Sequence, residues 1–134
     1  MGRSAVTDTH ALIWFAIGQR RLLGRHALRF YDQAEQGGAT IYIPTIVLVE
    51  IEEAETAGRI AFGVGFDAWL DQLLQSSNYR PTDLTVAVVR RSRELHAIAE
   101  RGDRLIAATA VELGLPLITR DGEIGRVSQV RVLW

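Results

Sequence analysis

Asp8, Glu50, Asp103 and Asp121 are carboxylates standing where an apolar run meets a turn or the start of a helix. They are far apart in the chain, and a fold that lines up strand ends brings such positions together. Acids gathered in one place repel each other and raise their own pKa values unless something positive sits among them. The pattern therefore predicts a bound cation, most simply a divalent metal.

Each acid also has a purely local use. Asp8 and Asp103 stand where an N-cap belongs, and Asp121, before Gly122, occupies a turn position that favours Asp. Glu50 is harder to explain locally. It interrupts Ile46-Val47-Leu48-Val49-Glu50-Ile51, where a buried, unpaired carboxylate costs several kcal/mol, so it calls for an Arg partner or a metal. Glu52, Glu53 and Glu55 continue the same segment as solvated charges. His10, His26 and His96 lack ligand spacing, and only His10, two residues from Asp8, belongs near the acids. No serine lies in a G-x-S-x-G elbow.

Composition removes other chemistries. The chain has no Cys, which excludes thiolate nucleophiles, thiolate zinc sites and iron–sulfur clusters, and gives no disulfide framework that would argue for secretion. All 15 basic residues are Arg, so lysine-dependent nucleotide hydrolysis and Schiff-base chemistry are excluded. A net charge of −1 supplies no global attraction for nucleic acid; local clusters at Arg20-Arg21-Arg25-Arg29 and Arg90-Arg91-Arg93 offer bidentate phosphate contacts, or simply solvated helix faces. The apolar runs are far shorter than a membrane span, and Asp8 and His10 arrive before any signal-peptide core forms, so a cytoplasmic protein is expected.

The elements that must position the acids follow from periodicity. At 134 residues and 48% hydrophobic content, residues 1–134 read as one domain. Strands are expected at Ser4–Thr7, Thr40–Ile43, Leu115–Thr119 and Val130–Leu133, with a short extended piece at Tyr79–Thr82. Helices are expected at Thr9–Gly18, Gly24–Gln36, Pro44 to about Gly58, Phe66–Gln75, Asp83–Ala99 with a break near His96, and Arg104–Leu113. Strands separated by helices give an α/β fold, a short central parallel sheet with helices on both faces. Ligands then bind beyond the carboxyl ends of the strands, an edge that all four acids can share.

Four segments together carry a family resemblance: Val6-Thr7-Asp8-Thr9-His10-Ala11-Leu12-Ile13-Trp14, Pro44-Thr45-Ile46-Val47-Leu48-Val49-Glu50-Ile51, Asp103-Arg104-Leu105-Ile106-Ala107-Ala108-Thr109-Ala110 and Leu117-Ile118-Thr119-Arg120-Asp121. In order and spacing the chain resembles a PIN domain over essentially its whole length, and is most similar to the VapC-type ribonuclease toxins of toxin–antitoxin pairs. The resemblance implies a Mg²⁺- or Mn²⁺-dependent endoribonuclease, with Asp8, Glu50, Asp103 and Asp121 as the acidic, metal-binding set and with Thr119 and Thr9 as auxiliary hydroxyls. Asp8 and Asp121 would be direct ligands, Asp103 would bridge or hold a second ion, and Glu50 would act through water. One ion would activate the attacking water while a second, roughly 4 Å away, would stabilise the leaving oxygen. The products would carry a 5′-phosphate and a 3′-hydroxyl.

The same resemblance implies an RNA substrate, a small antitoxin partner and a homodimer, with no role for a membrane. The stretch Glu100-Arg101-Gly102 departs from the Asp-Pro-Ala of many relatives and makes Glu100 a displaced or auxiliary acid. Phe62, Val64, Phe66 and Trp69, in the region Ile60 to Leu74, suit either a partner groove or the core. Two other readings compete: a PIN-like, non-catalytic protein-binding module whose acids only cap helices, and a metal-dependent phosphoesterase acting on another substrate.

Overall fold

Three consecutive residues of the first strand, Ala5, Val6 and Thr7, are wholly buried. Because neighbouring strand residues point to opposite faces, that run requires a sheet covered on both sides. The computed structural model, which describes residues 2–134, has that architecture. Five parallel strands, β1 (Arg3–Thr7), β2 (Ala39–Pro44), β3 (Tyr79–Thr82), β4 (Leu117–Ile118) and β5 (Val132–Leu133), run in the order β3-β2-β1-β4-β5. Seven helices join them: α1 (Thr9–Ala16), α2 (Arg25–Glu35), α3 (Thr45–Thr56), α4 (Phe66–Gln75), α5 (Val86–Ser92), α6 (Arg101–Leu113) and α7 (Gly122–Gly125). Among the described residues no helix is long and apolar enough to cross a membrane.

The core is mostly aliphatic, with Phe30 and Tyr31 of α2 as its largest side chains, and is centred on β1, β2 and α6. Ile41 and Ile43 from β2, Leu12 from α1, Ile51 from α3 and Ile106 from α6 are at most 1% exposed, and burying each such side chain contributes about 1.5–3 kcal/mol. Ala107, Ala108 and Ala110 are equally buried, so α6 packs closely against its neighbours. Behind the first strand end, the buried Tyr31 hydroxyl lies 2.5 Å from Thr7 Oγ1, which in turn donates to the Asp8 carbonyl at 3.1 Å. That chain of hydroxyls fixes the backbone at the acid.

Several elements differ from expectation for identifiable reasons. Tyr79–Thr82 is a full strand, paired with β2 from Ile41 to Pro44, and Pro81 is tolerated because β3 is an edge. The segment 83–99 is helical only from Val86, where Thr85 caps it at the Val88 amide, and tightens into a 3-10 turn at Arg93–Leu95. Helix α6 begins at Arg101, not Arg104, because Glu100 rather than Asp103 is its cap: the Glu100 side chain accepts from the Gly102 and Asp103 amides at 3.0 and 2.6 Å. The turn at Arg120–Gly122 leads into α7, capped by Asp121.

Candidate active site

In this sheet the chain order reverses at β1 and β4. From β1 the chain runs outward through β2 to β3, then returns across β1 to build β4 and β5 on the other side. At such a switch point the loops leaving neighbouring strand ends diverge and open a crevice. Asp8 follows β1 directly, and its amide still donates to the Ile118 carbonyl at the end of β4, at 3.1 Å. Asp121 lies three residues beyond that same carbonyl.

Asp8, Asp103 and Asp121 line one cleft of about 230 Å³ together with His10, Trp14 and Arg120. An adjoining cleft of about 280 Å³ shares Asp8, His10 and Asp103 with the first and adds Thr9, Glu50, Arg59 and Glu100. The acids thus form a row. Asp121 is at one end, Glu50 and Glu100 are at the other, and Asp8 and Asp103 belong to both clefts.

Helix N-termini orient Asp8, Asp103 and Asp121, whereas Glu50 projects from the middle of α3. Asp8 is buried and caps α1, its Oδ1 accepting from the Ala11 amide at 2.9 Å. Burial pushes its pKa up and Asp121 adds to that, while the Thr119 hydroxyl, the Ala11 N–H and His10 pull it down. Asp121 caps α7, its Oδ1 accepting from the Glu123 and Ile124 amides at 2.8 and 3.0 Å. Thr119, wholly buried, accepts from the Asp121 amide at 3.1 Å. In both caps one carboxylate oxygen is committed to the helix and the second lies outside the cap.

Asp103 sits in the first turn of α6. Burial first, then the negative charges of Glu100, Asp121, Glu50 and Asp8, push its pKa up to about 7. Glu50 accepts a hydrogen bond from the Thr9 hydroxyl, and burial is the main force raising its pKa. Gly102, also buried, lets the first turn of α6 approach Glu50: a Cβ there would overlap the Glu50 carboxylate and crowd that of Glu100.

The side chains do not close on a single point. Among the described residues, no three His, Asp or Glu side chains are drawn together tightly enough to hold one ion. Nor does any of Asp8, Glu50, Asp103 or Asp121 form an ion pair with an arginine; the salt bridges are Arg20–Asp32, Arg91–Glu94 and Arg91–Glu112, all outside the two clefts. The row is a concentration of uncompensated oxygen donors, chemistry suited to a hard cation.

The PIN domain family model matches residues 5–130 of this sequence. The chain belongs to the PIN domain family. A chain of VapBC2 from Rickettsia felis, solved bound to a DNA fragment from the promoter, superposes with a TM-score of 0.70 at 18% identity, covering 96% of each chain. DNA-bound VapBC from Salmonella typhimurium gives 0.66 at 20% identity, covering 98% of this chain and 97% of the other. FitAcB from Neisseria gonorrhoeae gives 0.60 at 18% identity, covering 96% and 95%. No curated protein matches the sequence significantly.

This PIN domain also places at the clefts residues to which the sequence reading assigned no role. Arg120 lies between Thr119 and Asp121, and its guanidinium stands 4.6 Å over the Trp14 ring. Trp14 is one helical turn beyond His10, a spacing that puts both on one face of α1, and their rings are 5.6 Å apart. That spacing was the available sequence signal for Trp14. Arg59 follows the end of α3, and nothing in the sequence marks it.

Proposed function

We propose that this PIN domain is a Mg²⁺- or Mn²⁺-dependent endoribonuclease, the toxin of a VapC-type toxin–antitoxin pair. The observation that carries the reading is the cleft itself: carboxylates from the β1 end, α6 and the β4 loop line one crevice at the switch point of a parallel sheet, and among the described residues none of them is ion-paired with an arginine. Asp8, Asp103 and Asp121 would hold the ion. When bound, it would lower the pKa of an attacking water and neutralise charge on the phosphate. Glu50, fixed by the Thr9 hydroxyl, would orient the water. Thr119 supports Asp121 from the buried side.

The partner assignment rests on likeness to VapBC and FitAB complexes. An antitoxin would cover the groove lined by Leu12, Phe15, Ala16, Trp69, Leu73 and Tyr79. Helix α4 has no fully buried residue; its Leu74 is 45% exposed, and Val64 just before it is 59% exposed. A homodimer and a cytoplasmic site of action belong to the same reading.

One observation favours a non-catalytic module: Asp8 and Asp121 are both satisfied as helix caps, and no three acids close on one point. Incubation of purified protein with single-stranded RNA decides between them. Endonucleolytic cleavage that requires Mg²⁺ or Mn²⁺, stops with EDTA and leaves 5′-phosphate ends supports the ribonuclease. No cleavage of any RNA with either ion refutes it.

A further inference from the structure

An acidic row repels the phosphate backbone it is meant to cut, and this chain has no net positive charge to offset that. The two arginine clusters prominent in the sequence are partly engaged elsewhere. Arg20 is paired bidentately with Asp32, both bonds 2.9 Å, and Arg91 bridges Glu94 and Glu112. Two other arginines stand at the clefts. Arg120 lines the Asp121 end of the row and Arg59 the Glu50 end, and among the described residues neither forms an ion pair although carboxylates line the same walls.

Arg120 is held by another device. Its guanidinium lies 4.6 Å over Trp14, whose ring is flanked by His10 at 5.6 Å and by the edge of Trp134 at 6.1 Å. A π-face holds the cation in place without engaging its N–H donors, which remain available to a planar anion. Without that ring, the nearby carboxylates would compete for the guanidinium.

We infer that Arg120 and Arg59 are the phosphate-binding residues of this site, gripping the backbone of a single-stranded RNA on either side of the acidic row. This rests on the ribonuclease reading. The two clefts share Asp8, His10 and Asp103, so they form one continuous path with a cation at each end. A strand laid along it has its central phosphate against the acids and its flanking phosphates against the arginines, which suits cleavage within a chain rather than from an end. Trp14 is the positioning residue for Arg120.

The test is fluorescence anisotropy of a labelled single-stranded RNA oligonucleotide with the full chain, in Ca²⁺ and over a range of salt concentrations. Arg120→Ala and Arg59→Ala each weaken binding about tenfold, as expected for loss of one charge-assisted phosphate contact. Each lowers the salt slope by about 0.7, the value for one phosphate on a single strand. Arg120→Lys keeps the slope but not the full affinity. Arg25→Ala and Arg90→Ala, in the two surface clusters, change neither. Unchanged binding in the Arg59 and Arg120 variants, or equal losses in the Arg25 and Arg90 variants, overturns the inference. Failure of the ribonuclease reading is separately visible, as absence of Mg²⁺-dependent cleavage by the unmodified protein.

Discussion

Gly102 and the Glu50 carboxylate are in such close approach that the smallest side chain at position 102 would overlap the acid. The glycine's φ is not in the left-handed region, so the requirement is for space and not for backbone freedom. Through this contact the first turn of α6, which carries Asp103, is set against α3, which carries Glu50.

Gly102→Ala tests that contact. The atom in the way is the far end of a flexible side chain, so the fold can yield by moving Glu50, and the stability loss should fall at or below the low end of the 1–3 kcal/mol typical of overpacking. Displacing Glu50 breaks its bond with Thr9 and should reduce cleavage about tenfold or more. Thermal melts and RNA cleavage rates on one preparation separate the two effects. Wild-type cleavage by the variant would mean that the position of Glu50 does not matter.

A pH dependence follows from Asp103. Its carboxyl is raised from the ordinary 3.8 to about 7, by burial first and then by Glu100, Asp121, Glu50 and Asp8. The folded chain therefore binds this proton more tightly than the unfolded chain. The group's contribution is most favourable below the unfolded value and is lost as pH rises through the folded one. Without metal, Tm should fall between about pH 4 and pH 7 more steeply in the wild type than in Asp103→Asn. The carboxyl is only half buried, so water screens the effect and the difference should be small. Parallel Tm curves for the two proteins in EDTA would show that the Asp103 carboxyl is not raised in the folded chain.

Divalent metal should reverse the repulsion within the row. Mg²⁺ or Mn²⁺ at about 100 times its dissociation constant stabilises a protein by about 2.7 kcal/mol if it binds only the folded state. The wild type should accordingly gain several degrees in Tm with either ion at neutral pH. Asp103→Asn should gain little and cleave no RNA. Calorimetric melts with and without EDTA measure the gain. Equal gains in the two proteins would place the ion somewhere other than this row.

The sheet and the acidic row were legible in the sequence to different degrees. Strands and long helices announce themselves by period, so α4 was readable residue for residue and β1, β2 and α3 to within one or two positions. What local pattern could not supply was choice between neighbours. Glu100 and Asp103 are both able to cap α6, and the helix starts at Arg101 because it is Glu100 whose carboxylate accepts from the Gly102 and Asp103 amides. Tyr79–Thr82 contains a proline and carries little strand signal; it is a strand because β2 offers an open edge beside it. Arg59 and Arg120 were unreadable for the opposite reason. Their significance lies in the absence of a partner, which only three-dimensional placement reveals.

Asp8 offers the clearest separation of structure from chemistry, because its carboxylate has both uses. Oδ1 accepts from the Ala11 amide as the α1 cap, and the acid is buried in the wall of the cleft. Asn caps a helix about as well as Asp, whereas Ala does not, and losing a cap costs about 1 kcal/mol. Asp8→Asn should keep the wild-type Tm to within a degree or two and abolish cleavage, since a neutral amide is a poor ligand for Mg²⁺. Asp8→Ala should lose cleavage and about 1 kcal/mol of stability in denaturant melts. If Asp8→Asn cleaves RNA at the wild-type rate, the residue is a cap alone and the non-catalytic reading gains. If Asp8→Asn is as unstable as Asp8→Ala, its carboxylate charge is needed for folding, and the loss of cleavage no longer reports on chemistry.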